Sequence, residues 1–175
     1  VDVAGRSQGI VNATNAIRGY DLHTGEVIWH TSCMTTNAIP SPVVEDGVAY
    51  FLSGFRGAFL VAVRLEDAEG KLDADHKAIV WTHDRDTSYV PSPLLYGGQL
   101  YFLKGNNAIL SSFDAATGDI HYGPLRLDGL EGVYASPVAA AGRVYVAGRN
   151  GAVKVLRHGT EFEALALNHL DDAFD

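Results

Sequence analysis

The sequence predicts an all-β fold, a β-propeller of four-stranded antiparallel blades, of which this chain would hold about three and a half. Two observations carry this prediction: a twelve-residue segment that occurs three times, and a turn motif that occurs twice, once before the first copy and once between the second and third. The composition agrees, with 19 glycines, 8 tyrosines and 7 phenylalanines but one methionine. Aromatic residues suit pleated strands and glycine suits tight turns, so many short strands are expected.

The repeated segment occupies residues 41–52, 92–103 and 136–147. Each copy opens with Ser-Pro, has a glycine six residues after the serine and a tyrosine nine residues after it. The copies start 51 and then 44 residues apart, which is the length of one propeller blade. Proline suits the first residue of a strand, and the glycine predicts a hairpin turn. The apolar run after it predicts a second strand covered on both faces.

The turn motif is Asp-x-x-Thr-Gly, within residues 19–29 and again within residues 112–122. Its aspartate can accept backbone N–H bonds across the turn while the glycine adopts positive φ, so the motif predicts a hairpin into an outer strand. An aromatic residue ends each unit and is expected to fill the contact between adjacent blades. The predicted blade-motif residues are Asp21, Thr24, Gly25, Trp29, Trp81, Asp114, Thr117, Gly118 and Tyr122.

These patterns divide one predicted domain, residues 1–175, into blades. Residues 1–33 are expected to form the second half of a blade, and residues 169–175 a link to a missing blade. Whole blades are expected at residues 39–83, 90–125 and 134–168. Residues 66–77 are polar and predict an inserted, solvent-facing loop. Because known propellers use roughly four to eight blades, the missing blades are expected to come from a longer chain.

Composition and motifs exclude several classes of function. With 13 basic and 21 acidic side chains, the net charge of −8 disfavours nucleic acid as a partner. No apolar run approaches the roughly 18 residues of a membrane span. The single Cys33 excludes an internal disulfide, and the seven histidines lack paired metal-ligand spacing, so no metal site is predicted. Neither a nucleophile elbow nor a phosphate loop occurs, and no catalytic residue is predicted.

The two modules resemble the pyrroloquinoline-quinone-like (PQQ-like) β-propeller repeat. Residues 21–29 match its Asp-x-x-Thr-Gly-x-x-x-Trp signature in full, and residues 114–122 match it with tyrosine in place of tryptophan; Trp81 matches alone. That family includes quinone-dependent alcohol and glucose dehydrogenases, a lipoprotein that scaffolds outer-membrane barrel assembly, and secreted bacterial proteins of unassigned role. The Ser-Pro variant looks most like the secreted group, which implies an extracytoplasmic location, periplasmic or secreted.

The expected binding surface is the face of the disc that is lined by the loops between blades. There Arg85, Tyr89 and Tyr134 are the residues expected to contact a ligand. Asp21 and Asp114 are assigned to turns, and no bound cofactor is expected. The predicted function is therefore a non-catalytic module that presents loops to another protein or to a cell-envelope component.

Two alternatives remain open from the sequence. One is a fragment of a quinone-dependent dehydrogenase, which would bind PQQ and calcium partly through residues in the absent blades. The other is a polysaccharide-binding propeller that uses loop aromatics such as Tyr89 and Tyr134.

Overall fold

The computed structural model describes residues 1–174, which form four antiparallel sheets in sequence order, each the blade of a partial propeller that does not close into a ring. Blade 1 comprises β1 (Asp2–Val3), β2 (Arg6–Ala13), β3 (Ala16–Asp21) and β4 (Val27–Thr31). Next come β5 (Val43–Glu45), β6 (Val48–Ser53), β7 (Phe59–Arg64), β8 (Gly70–Lys71) and β9 (Ile79–His83), of which all but β8 form blade 2. Blade 3 comprises β10 (Leu94–Tyr96), β11 (Gln99–Leu103), β12 (Ile109–Asp114) and β13 (Ile120–Arg126). Blade 4 comprises β14 (Val138–Ala140), β15 (Arg143–Ala147), β16 (Ala152–Arg157) and β17 (Ala164–His169).

Helical structure in the described part of the chain is limited to a 3₁₀ turn at Leu65–Asp67. None of the helical structure within residues 1–174 is therefore long or apolar enough to cross a bilayer.

Blade 1 differs from the expected half blade. Residues 1–33 supply four antiparallel strands, because Asp2 and Val3 pair with Ser7 and Arg6 as a short first strand. The turn between them has positive φ at both Ala4 and Gly5, as the turn at Asp46 and Gly47 does in blade 2. A two-residue turn of this kind matches the right-handed twist of its flanking strands. This first hairpin has no Ser-Pro step, and that absence hid it in the sequence.

The first strand of blade 3 contacts the first strands of blades 2 and 4. Their Ser-Pro steps are linked along the chain of blades: the Ser41 N–H donates to the Ser92 hydroxyl at 2.9 Å, and the Ser92 N–H donates to the Ser136 hydroxyl at 2.9 Å. The repeated serine thus lies two residues before the first strand of its blade and links that blade to its neighbour.

The buried core lies between the sheets, as three clusters at the three blade interfaces. An aromatic residue on the outer strand reaches into each interface. Trp29 packs edge-on against Phe51 of blade 2, with ring centroids 6.1 Å apart. Tyr122 packs in the same way against Phe162 of blade 4, at 5.7 Å. Trp81 completes the series at the interface of blades 2 and 3.

The inserted segment 66–77 is not simply a solvent-facing loop. Its acidic side chains are largely exposed, but β8 pairs in parallel with β4 and extends blade 1 by a fifth strand. Leu72 is only 2% exposed and joins the core cluster between blades 1 and 2, as does Leu65 just before the insertion. Leu72, together with the buried Ala68, anchors the insertion to the core between the two blades.

Candidate functional site

The loops between blades and the turns between second and third strands lie at the same end of the blades. This placement follows from the antiparallel order of each blade, since the chain leaves the second and fourth strands at one end. We call this end the loop face. The Asp-x-x-Thr-Gly turns join third to fourth strands and therefore lie at the opposite end.

The loop at residues 84–89 fastens blade 2 to blade 3. The buried Thr87 hydroxyl donates to the Ser53 carbonyl at 2.6 Å, and the buried Ser88 hydroxyl donates to the Leu103 carbonyl at 2.9 Å. The Gly54 backbone lies so close to Thr87 and Ser88 that a Cβ there would be 2.4 Å from their carbonyl oxygens. Glycine is therefore required at this turn, and the middle of the loop is structural, whereas only its ends are available for binding.

Tyr89, at the end of that loop, forms part of an aromatic stack on the loop face. Its ring stacks on Phe55, with centroids 4.7 Å apart and an interplanar angle of 24°. The Arg56 guanidinium lies 5.4 Å from the Phe55 ring centroid, and the Asn37 amide donates to the Tyr89 hydroxyl at 2.9 Å. We call these four residues the Tyr89 stack. It joins the loop between blades 1 and 2, a turn of blade 2 and the loop between blades 2 and 3.

Tyr134 belongs to a second aromatic pair on the loop face. The Arg149 guanidinium lies 5.0 Å from its ring centroid, and the ring remains 41% exposed. The two line an open cleft of about 590 Å³ with Asn106 and Glu131. The Asn106 side chain accepts a hydrogen bond from the Val90 N–H at 3.1 Å, so this amide also holds the loop between blades in place.

The three predicted loop residues are not gathered into one site. Tyr89 and Tyr134 lie in two separate aromatic clusters, and Arg85 belongs to neither. Arg85 is exposed and makes a loose ion pair with its neighbour Asp84, at 3.8 Å. Within residues 1–174, the loop face thus offers two aromatic clusters, each with an arginine beside it.

In each Asp-x-x-Thr-Gly turn, one carboxylate oxygen of the aspartate accepts two backbone N–H bonds. Asp21 Oδ1 accepts the N–H bonds of His23 and Thr24 at 2.8 and 3.0 Å, and Asp114 Oδ1 accepts those of Ala116 and Thr117, both at 2.9 Å. Gly25 and Gly118 adopt φ of +74° and +78°. Each aspartate has the geometry of a turn-forming residue.

The two aspartates differ in the groups that lower their pKa values. The Arg6 guanidinium donates to Asp21 Oδ2 at 2.6 Å, and with the turn N–H groups it lowers the pKa of Asp21 to about 2. The pKa of Asp114 is lowered chiefly by its backbone hydrogen bond from Thr117, and no arginine pairs with it in the described residues. Both carboxylates are ionised at neutral pH, and neither has the raised pKa of a general acid.

The contacts between blades use an aromatic residue within each fourth strand of blades 1, 2 and 3, namely Trp29, Trp81 and Tyr122. The buried Trp29 indole N–H donates to the Gln8 side chain at 3.1 Å, and the Trp81 indole N–H donates to the Ala115 carbonyl at 2.9 Å. Burial raises the pKa of the Tyr122 hydroxyl. These aromatics hold blades together and are not presented to solvent as a binding surface.

His83 lies two residues after Trp81 in the sequence and packs edge-on against Phe113, with ring centroids 4.8 Å apart. Burial lowers its pKa, so the ring is neutral at pH 7. His158 bridges blades 3 and 4, where Nδ1 lies 2.9 Å from the Tyr101 hydroxyl. Both rings have packing roles between blades.

A cavity of about 460 Å³ lies beneath β8, between blades 1 and 2. Apolar side chains of Phe59, Leu72 and Ile79 line it, together with Cys33. Burial raises the pKa of the Cys33 thiol. The thiol is therefore protonated at neutral pH, which makes it a poor nucleophile.

Comparison with known families identifies the repeat. A sequence model described as "Outer membrane protein assembly factor BamB" matches residues 13–158. The chain belongs to this family. No curated protein sequence matches it.

Solved structures similar to this BamB-family chain include two PQQ-like propellers and a designed protein. BamB from Moraxella catarrhalis is 14% identical, with a TM-score of 0.45, and the match covers 95% of this chain and 62% of that one. A europium-containing methanol dehydrogenase is 16% identical, with a TM-score of 0.55 and coverage of 95% and 26%. The computationally designed Ika8 protein is 14% identical, with a TM-score of 0.61 and coverage of 99% and 52%. The chain thus spans less than two thirds of each, and the last two likenesses show the fold alone.

A calcium ion bound beside a quinone is one ligand that the motif carboxylates of this BamB-family chain could be considered to hold. Calcium at a quinone needs several oxygen ligands with free lone pairs. Asp21 and Asp114 already accept turn N–H bonds, at the end of the blades opposite the loop face. Within residues 1–174 no group of three or more His, Cys, Asp or Glu side chains is placed to hold a metal ion. The two motif aspartates therefore do not fit as ligands of such an ion.

Sequence reasoning missed Phe55, Arg56, Asn37 and Arg149 on the loop face. Phe55 and Arg56 lie between two glycines at the tip of a hairpin turn, where a large aromatic residue has no local packing partner. That exposed aromatic was the signal available in the sequence. Its stacking on Tyr89, 34 residues later, depends on the way in which the blades pack.

Proposed function

We propose that this BamB-family chain is a non-catalytic propeller module that binds a protein partner through its loop face, as part of an extracytoplasmic assembly in the cell envelope. The observation that carries the proposal is the Tyr89 stack, together with the Tyr134–Arg149 pair. Tyrosine and arginine dominate the energetic centres of protein interfaces. Stacked rings also lose little conformational entropy on binding.

The family description supports the location and the type of partner. The matching family is described as an outer membrane protein assembly factor, which acts on other proteins. The net charge of −8 makes a polyanionic partner unfavourable, whereas the loop face places arginines next to its aromatic rings. An aromatic and cationic surface of this kind suits a protein segment with apolar and acidic side chains.

The test is crosslinking in the cell envelope. A photoreactive residue in place of Arg56, at the edge of the Tyr89 stack, is expected to crosslink to one envelope protein. The double change Phe55→Ala and Tyr89→Ala, introduced with Asn37 retained, is expected to reduce the purified partner's affinity about 100-fold, because two aromatic hot spots are lost. Leu125→Ala, an exposed apolar change on β13, serves as the matched control and should leave the affinity unchanged.

The dehydrogenase alternative is tested on the same protein. Titration with PQQ and calcium, followed by dye-linked oxidation of alcohols and sugars, is expected to give neither tight binding nor turnover. Saturable quinone binding with dye reduction would reject the non-catalytic proposal. Retention of a polysaccharide by the wild-type chain but not by the Tyr134→Ala variant would instead favour glycan binding at the Tyr134–Arg149 pair.

A further inference from the structure

The cavity of about 460 Å³ between blades 1 and 2 has the size and the lining of a small-molecule site. Its walls come from four segments: residues 31–33 at the end of β4, the strands β7 and β9 of blade 2, and residues 71–74 of the insertion. All four segments lie within residues 31–82, so this part of the chain builds the cavity by itself.

The lining of the cavity is mostly apolar and is not fully covered by the protein. Phe59, Ile79 and Cys33 pack against the core between the two blades but are only partly buried. Val61 and Leu72, which also line the cavity, are 1% and 2% exposed. Side chains that border empty space lose packing contacts on that side. A bound apolar molecule would supply those contacts.

The next interface along the chain has a larger side chain at the corresponding position. Thr31 and His83 each end the fourth strand of their blade and occupy the same place in its register. The His83 ring packs edge-on against Phe113 of the following blade, with ring centroids 4.8 Å apart. The shorter Thr31 side chain borders the cavity instead. The interface of blades 1 and 2 therefore has a short side chain where the next interface has a ring.

The insertion closes one side of the cavity with a wall that carries no net charge. The Leu72 N–H donates to the His30 carbonyl at 2.8 Å, which fixes this leucine beside the end of β4. Lys71 and Asp73, on either side of Leu72, form an ion pair at 2.6 Å. Because the two charges offset each other, this wall favours neither an anion nor a cation.

We propose that this cavity binds a small neutral molecule that contains an aromatic ring. The ring packs on Phe59 and beside Thr31, since paired aromatic rings gain more than their buried area alone provides. The hydroxyl groups of Ser32 and Thr82 also line the cavity and can hydrogen-bond one polar substituent. A charged molecule is disfavoured, because apolar walls do not replace its hydration.

The first test measures binding of para-fluorobenzyl alcohol to the whole chain by ¹⁹F NMR. Saturable binding is expected. The anion para-fluorobenzoate and the cation para-fluorobenzylamine have a similar size and should bind about tenfold more weakly or worse. Failure of the alcohol to saturate, or equal binding of all three molecules, would overturn the proposal.

The second test uses variants of the cavity wall, each checked for folding by circular dichroism. Thr31→His introduces the ring that the next interface carries and should abolish binding of the alcohol. Thr160→His makes the same change at an exposed threonine of blade 4 and should leave binding unchanged. Phe59→Leu keeps an apolar side chain without the ring and should weaken binding about fivefold. Unaltered binding in a folded Thr31→His variant would contradict the site.

The third test needs no substitution, because Cys33 is the only cysteine of the chain and lines the cavity. Its rate of labelling by methyl methanethiolsulfonate is measured at mildly alkaline pH. Para-fluorobenzyl alcohol, at about ten times the Kd found by NMR, should slow the labelling about tenfold by occupying the cavity. Para-fluorobenzoate at the same concentration should have little effect. An unchanged rate in the presence of the alcohol would place the bound molecule outside the cavity and refute the proposal.

Discussion

The Ala115 carbonyl joins blades 2 and 3 through two hydrogen bonds at once, and a double-mutant cycle should reveal their coupling. The Tyr50 hydroxyl and the Trp81 indole N–H both donate to it at 2.9 Å. Ala115 is 4% exposed, so water cannot readily replace a lost donor. The carbonyl has two lone pairs, and the pair of donors satisfies both.

The expected magnitudes follow from that geometry. Tyr50→Phe removes one donor and leaves the other, which should lower the free energy of unfolding by about 1 kcal/mol. Trp81→Phe removes the second donor and part of the ring that covers Gly118, for a loss of about 2 kcal/mol. The double variant leaves the buried carbonyl with neither donor, which adds about 1 kcal/mol beyond the sum of the single changes.

Urea unfolding monitored by circular dichroism measures these differences, provided that the slope m is unchanged among the variants. The matched control pairs Tyr50→Phe with Trp29→Phe, since Trp29 donates to Gln8 at a different interface. That control pair should be additive to within about 0.5 kcal/mol. Additive losses for Tyr50 and Trp81, or an equal coupling in the control pair, would refute the shared-acceptor reasoning.

Three further predictions concern the turn motif of blade 1, the serine contacts between blades and the inserted segment 66–77. The pKa of Asp21 is about 2 in the folded protein and about 3.9 when unfolded, so its stabilising effect is complete above pH 4 and is lost as the pH falls toward 2. Arg6→Ala should raise that pKa in a carboxyl ¹³C NMR titration and leave Asp114 unchanged; equal shifts at both would contradict the assignment. Ser92→Ala should lower the free energy of unfolding, measured in urea, by about 1 kcal/mol, because the Ser41 N–H loses its acceptor. Ser41→Ala is the control and should have little effect, since its hydroxyl accepts no such bond from the described blades. Leu72→Ala should cost about 3 kcal/mol by the same measurement, and the exposed Lys71→Ala less than about 0.5 kcal/mol; equal effects would show that β8 does not anchor the insertion.

The blade architecture could be predicted because its determinants are local. The Asp-x-x-Thr-Gly turn places the acceptor, the two donors and the positive-φ glycine within five residues, so the spacing alone specifies the hairpin. The pairing of β8 with β4 could not be predicted in this way. Two residues give no periodicity, and the pairing depends on Leu72 reaching a neighbouring blade. The two-residue strand β1 could not be predicted from periodicity either.

The candidate site was only partly predictable, because its geometry depends on the packing of whole blades. Tyr89 and Tyr134 could be assigned to the loop face from topology, but their partners Phe55 and Arg149 lie on turns of adjacent blades. Contacts of this kind form only after the sheets have stacked. No pattern of spacing within a single blade therefore specifies them.

Structural constraint differs between the two ends of the blades, although the loop face also contains fixed positions such as Gly54. At one end, the aspartates and glycines of the turns are required for the backbone path or for contact with an aromatic ring. At the loop face, the turn tips of blades 2, 3 and 4 carry Phe-Arg, Asn-Asn and Arg-Asn, so the fold accepts different side chains there. A position that folding does not determine can be set by binding instead. The loop face is therefore where blades that share one fold can acquire different partners.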